Sequence, residues 1–193
     1  MSEFYAARLT LYFLSSLYIY ANVRTLIFEL LFAYIDRDDF MTALLLILHL
    51  ISAVIWVGGM FFAYVCLRPV AATLLEPNVR LPLWCSVFKR FFPWVWLSVL
   101  VIILSGHGMI SMFGGMGGVG KHVHIMMGLG YLMIGLYLHV YFALFGKLKL
   151  FVVAESWAEA GTTLNKIRII IGVNLLLGLF VIAMASGGRY LFV

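Results

Sequence analysis

Along this chain, long apolar runs alternate with short stretches that collect the charges. The cleanest run follows the polar break Asp36-Arg37-Asp38-Asp39. Leu44 to Leu67 is apolar for about 24 residues, enough to cross a ~30 Å hydrocarbon core with some tilt. His49, Ala53, Trp56, Met60 and Ala63 fall at helical spacing on one face of it. Gly58-Gly59 suits close approach by a neighbouring helix, and Arg68-Pro69 is expected to end the span. Arg68 to Arg90 reads as a connection. Its LPLWCSVFKRFFPW segment mixes basic and aromatic residues, as a stretch lying in the headgroups does. Phe92 to Phe113 is the second expected span, with Pro93 in its first turn and Trp96, Leu100, Ile103 and His107 on a shared face. Gly114 to Gly120 is a tight turn.

His122 to Phe145 is the third expected span. His124, Gly128, Tyr131, Gly135 and His139 form one helical stripe. Its two histidines are ~22 Å apart along the axis. The glycines between them serve helix packing or leave room for a flat cofactor. Gly146 to Lys166 is a polar connection. Ile167 to Ser186 is the fourth span, with Asn174 at membrane depth and Gly178 one turn on. The predicted fold is all-α and integral to the membrane, an antiparallel four-helix transmembrane bundle over residues 41–193. Residues 1–40 read as an N-terminal extension or an extra helix. An apolar stretch runs there from about Leu9 into Leu26–Ile35, but Arg24 and Glu29 interrupt it at a cost of several kcal/mol unless they pair or snorkel.

Composition agrees. The chain has 193 residues, 65% of them hydrophobic and 11% charged, whereas soluble domains are about half apolar and a quarter charged. The net charge of +5 sits between apolar runs and is no nucleic-acid signal. Arg68, Arg80, Lys89 and Arg90 mark one connection, and Lys147, Lys149, Lys166 and Arg168 mark another. The glycine turn carries Lys121 alone. By the positive-inside rule, the Arg68–Arg90 and Gly146–Arg168 connections are expected in the cytoplasm and the Gly114–Lys121 turn outside. Cys66 and Cys85 then lie on the cytoplasmic side, as thiols.

With that topology His49, His107, His122 and His124 reach one depth near the outer leaflet, on three helices, and His139 lies toward the cytoplasm. The stretch Ser105–Tyr131 also carries Met109, Met112, Met116, Met126 and Met127. Imidazole and thioether suit soft transition metals, and bundles build metal and cofactor sites on facing helices. The blander explanation is that methionines fill gaps and histidines cap helix ends. Hydrolytic catalysis is disfavoured, because no carboxylate lies within the four spans.

HLISAVIWVGGMFFAYVCLRPVAATLLEP, RLPLWCSVFKRFFPWVW, SGHGMI and the closing IRIIIGVNLLLGLFVIAMASGGRY resemble the copper resistance protein D family of bacterial inner-membrane proteins, in its short stand-alone form. His49, Trp56, Gly58 and Gly59 are also similar to the opening of HemJ-type protoporphyrinogen oxidases. The resemblance implies copper uptake or delivery at the inner (plasma) membrane, with a copper donor or acceptor protein as partner. On that reading the ligand candidates are His49, His107, Met109, Met112, Met116, His122 and His124. The alternative is a haem b protein in electron transfer or quinone-linked oxidation with a redox partner, its axial ligands drawn from His49, His107 and His124, and Gly128 giving the ring room. A third reading is an assembly partner without metal. Glycine-rich faces permit a homodimer without requiring one.

The resemblance spans about residues 41–190 and leaves 1–40 outside it, which fits a translation start at Met41 as the alternative to an extra N-terminal helix. Protein expressed from its native gene should then show an intact mass matching residues 41–193, and a mass matching residues 1–193 would refute that start.

Overall fold

The computed structural model describes residues 17–26 and 37–191. The chain divides into two compact units, Met1–Leu44 and Leu45–Val193. In the first, residues 17–26 are helical with exposed side chains. The rest of the expected N-terminal span, Glu29 included, lies outside the described residues. The second unit holds the bundle.

Four continuous helices are long and apolar enough to cross a membrane among the described residues. The first, α1, runs Arg37–Phe61, widens into a π-helical stretch Phe62–Leu67 and closes as α-helix over Arg68–Leu74. Next comes α2, Pro77–Met112. The third, α3, runs Lys121–Leu138, passes through a second π-helical stretch His139–Phe145 and finishes over Gly146–Val153. The fourth, α4, is Trp157–Leu191.

The boundaries correct the sequence reading. Arg68-Pro69 does not end α1, and Arg68–Arg90 is not a connection, since within it Leu75 and Glu76 alone leave the helix. Gly146–Lys166 is likewise mostly helical. Charges and prolines mark where the chain leaves hydrocarbon, but they do not force the backbone to unwind. At 36 residues, α2 is ~54 Å long and overshoots a ~30 Å core. Pro69 and Pro77 are accommodated locally. Pro69 follows the π-helical stretch, where the Arg68 N–H reaches back five residues to the Ala63 carbonyl. That wider turn gives the ring the room a regular helix denies it. Pro77 starts α2 at a position needing no N–H. Pro93 lies well inside α2, not in a first turn.

The core is aromatic. Phe88 and Phe92 stack at 5.2 Å, and Phe145 of α3 meets Phe92 edge-on at 4.9 Å. Tyr137 packs edge-on against Trp56, Phe92 and Trp96. Its hydroxyl donates to the Phe92 carbonyl at 3.2 Å. From α4, buried Asn174 donates through Nδ2 to the Met133 carbonyl of α3 at 3.3 Å.

The expected face of α1 is its interior face, with Trp56 and Met60 buried. On α2 the interior runs instead through Trp84, Phe88, Phe92, Val95 and Val99, and Leu100 and His107 are exposed. On α3 the interior is Met133, Tyr137 and Val140. The stripe of His124, Gly128, Tyr131, Gly135 and His139 is exposed throughout, and a Cβ added at Gly128 or Gly135 would meet nothing within 4 Å.

The adjacent glycines of α1 differ in the same way. Gly58 faces open space, whereas a Cβ at Gly59 would run into the Phe91 ring. Gly59→Ala should destabilise the detergent-solubilised protein by about 1–3 kcal/mol as an overpacked contact, and Gly58→Ala should not. Thermal unfolding followed by circular dichroism separates the two.

Candidate functional site

The end of the bundle carrying the turn between α2 and α3 gathers most of the metal-ligand side chains. There α2 stops as the Phe113 N–H bonds the Met109 carbonyl at 3.0 Å. Gly114 and Gly115 follow at φ +84° and +79°, a left-handed backbone that glycine adopts without steric cost. Gly120 then leads, extended, into α3.

His49 reaches this end from α1. Its Nδ1 lies 2.9 Å from Ser105 Oγ on α2. That hydroxyl lies closer to the Val101 carbonyl, at 2.6 Å, and with its one proton donated there it accepts from the ring. Nδ1 therefore carries the imidazole proton, and Nε2 presents its lone pair. Second-layer partners fix ligating histidines in this way. Gly106 completes the fit, since a Cβ there would come within 3.3 Å of His49 Cε1. Leu45, one turn before His49, lies against Gly108, so α1 and α2 stay together toward the turn.

His107 is two residues past Ser105, a rotation of ~200° around α2, and faces α3. Its Nδ1–H donates to the Ile103 carbonyl at 2.9 Å, and the Tyr131 hydroxyl donates to Nε2 at 3.0 Å. His124 donates from Nδ1 to the Gly120 carbonyl at 3.2 Å. His122 lies beside Gly188 of α4, where an added Cβ would meet its Cβ at 2.8 Å. Ser105, Met109 and Met112 follow i, i+4, i+7 spacing, so the two thioethers continue outward the stripe that faces His49. Met109 is half-buried, and Met112 and Met116 are about 40% exposed.

The candidates thus share one end of the bundle but not one cage. Among the described residues, no three His, Cys, Asp or Glu side chains group to hold a metal. His49 with the methionine stripe lies on one side of α2, and His107 with Tyr131 on the other. The facing imidazole pair that haem b needs is not built. His49 turns to Ser105, His107 Nε2 is taken by Tyr131, and His124 with Gly128 sits on the outward face of α3. The two cysteines are free thiols.

Two contributors escaped the sequence reading. Ser105 was one polar residue in an apolar run, and its signal was a hydroxyl one turn from Met109 on the same face. Tyr131 shares the spacing of the glycine stripe, which hides that its hydroxyl serves a neighbouring helix.

Inward of His49, Ser52, Trp56 and Met60 are buried on α1. Trp56 and Met60 line an apolar cavity of about 230 Å³ that also meets Asn174. Asn174 Oδ1 is buried without a hydrogen-bond partner, a costly state in a low-dielectric interior.

Compared with known proteins, residues 86–187 match the family model described as copper resistance protein D. That segment takes in most of α2, the glycine turn, α3 and most of α4, and His49 precedes it. No curated protein and no solved structure matches.

His49, His107 and His124 all place their proton on Nδ1 by hydrogen-bond bookkeeping. Nitrogen NMR of histidine-labelled protein should show the Nδ1–H tautomer for each. Ser105→Ala should release His49 and leave the other two unchanged. A dominant Nε2–H signal from His49 in the unsubstituted protein would refute the assignment.

Proposed function

The chain belongs to the copper resistance protein D family, and on that premise we propose that it takes up or delivers copper(I) through the glycine-turn end of the bundle. The observation that carries this reading is the Val101–Ser105–His49 chain of hydrogen bonds, which presents an unprotonated Nε2 beneath a methionine stripe. A cargo site differs from a storage site in needing ligands that also let go. Thioethers suit copper(I) and shed it more readily than thiolates.

On this reading Met112 and Met116 collect copper(I) where the turn is exposed, Met109 passes it inward, and His49 receives it. His107 exchanges its Tyr131 hydrogen bond for the ion, and His122 and His124 add exposed imidazoles at the start of α3. Deeper in, Met60 supplies a thioether beside the Asn174 cavity. The arginine-bearing ends of α1, α2 and α4 lie in the cytoplasm and the glycine turn in the periplasm, as the distribution of basic residues favours. Copper reaches or leaves the turn on a donor or acceptor protein. Arrangement of the ligands along a path, and not around one centre, fits an ion in transit.

Loss of a second-layer partner typically lowers metal affinity by about 10–100-fold, so Ser105→Ala should weaken copper(I) binding by that order, measured by chelator competition. His107→Ala, and the joint Met109→Leu, Met112→Leu and Met116→Leu change, should each lower cellular copper accumulation at least several-fold. Unchanged accumulation in both would overturn the reading.

A further inference from the structure

At the end of the bundle away from the glycine turn, α1, α2 and α4 enclose a cleft of about 1000 Å³. Three arginines line it, one from each helix: Arg68, Arg80 and Arg168. No carboxylate lines it. Arg68 lies over the Tyr64 ring, 5.0 Å from its centroid. Arg80 bridges from α2 to the Ala72 carbonyl of α1 at 3.3 Å. Neither contact neutralises a charge, and among the described residues no acid pairs with any of the three. Three cations around one concavity repel one another until an anion enters.

The walls differ from the rim. Leu81, Trp84 and Phe88 of α2 and Ile171 of α4 extend the cleft toward the aromatic core, and Trp157 stands at its edge. From Pro77 to Phe88 it follows α2 for ~16 Å. A soluble anion would use the rim alone. A molecule with an anionic head and an apolar tail uses the full length. The first turn of α4 borders the cleft at Trp157 and Ala158, and Glu159 in the same turn offsets the positive end of that helix, so the anion rests on the arginines.

We propose that this cleft is a binding site for an anionic phospholipid, its phosphate held by Arg68, Arg80 and Arg168 and its first acyl methylenes laid along Leu81, Trp84 and Phe88. Basic pockets between membrane helices take anionic headgroups for this reason, and the arginine fork matches phosphate oxygens two at a time. The lipid then ties α1, α2 and α4 together where their connections are shortest. The inference stands apart from the copper reading.

The test uses the full chain in a neutral detergent. Thermal unfolding and native mass spectrometry are followed with short-chain phosphatidylglycerol, with phosphatidylcholine of the same chain length, and with inorganic phosphate. Phosphatidylglycerol should raise the unfolding midpoint and survive as a bound adduct, while the other two should do neither at the same concentration. Each Arg→Gln change should weaken that binding about five-fold, the equivalent of one surface arginine in an anionic leaflet. The triple change should abolish the preference while helix content stays intact by circular dichroism. If the triple variant does not fold, Arg168→Gln alone decides, and unchanged affinity there overturns the proposal. So does equal stabilisation by phosphatidylcholine. Full stabilisation by inorganic phosphate would also overturn it, by making the site one for a free anion.

Discussion

Hydrocarbon offers a peptide group no partner, and that constraint governs every helix in this protein. A backbone N–H or C=O left open at bilayer depth costs several kcal/mol. The chain therefore keeps its helices running through prolines, through two π-helical stretches and past the membrane boundary, until a two-residue or three-residue break reverses it. Overshoot at one end brings Arg68, Arg80 and Arg168 into a common cleft. At the other end the chain leaves the helix where glycines allow a sharp reversal, and the thioethers gather there.

The chemistry at the glycine-turn end depends on a smaller constraint of the same kind. Ser105 has one hydroxyl proton and gives it to Val101. The direction of the Ser105–His49 hydrogen bond follows, and with it which nitrogen of His49 faces the methionine stripe. His107 and His124 obtain the same tautomer from backbone carbonyls. His107 differs in holding a hydroxyl on its second nitrogen, so its availability to a metal depends on how readily Tyr131 lets go.

Much of this was legible in the residues, and the exceptions have one cause. The four spans followed from hydropathy, because transfer from water to lipid dominates that decision. The interior face of α1 was legible because Trp56 and Met60 recur with His49 at helical spacing. The interior faces of α2 and α3 were not. A helix surrounded by lipid is apolar on all sides, so Leu100 and Leu104 are as acceptable outside as Phe92 and Val95 are inside. Histidine and glycine on α3 drew attention to a stripe that faces outward, while Met133 and Tyr137 did the packing. The helix ends were misplaced because arginine and proline report the membrane surface and not the end of the hydrogen-bond ladder. Ser105 was invisible as a partner because its role depends on the register between α1 and α2.

The glycine turn also divides the molecule mechanically. Leu75–Glu76 ties α1 to α2, and Ala154–Ser156 ties α3 to α4, each too short to let its helices drift apart. The chain is thus two tight hairpins joined covalently by one longer turn. Docking of the hairpins includes Phe92 against Tyr137 and Phe145 in the core and Tyr131 on His107 nearer the turn, and two residues of the turn hold a backbone shape that glycine reaches freely. The turn is closed on itself by hydrogen bonds from the Gly115 N–H to the Ile110 carbonyl at 2.9 Å and from the Gly118 N–H to the Gly115 carbonyl at 3.1 Å. Of the three thioethers at this end, Met109 and Met112 ride on the last turn of α2 and Met116 alone sits in the turn, so a change in the turn's shape would move one thioether and leave the other two on the helix.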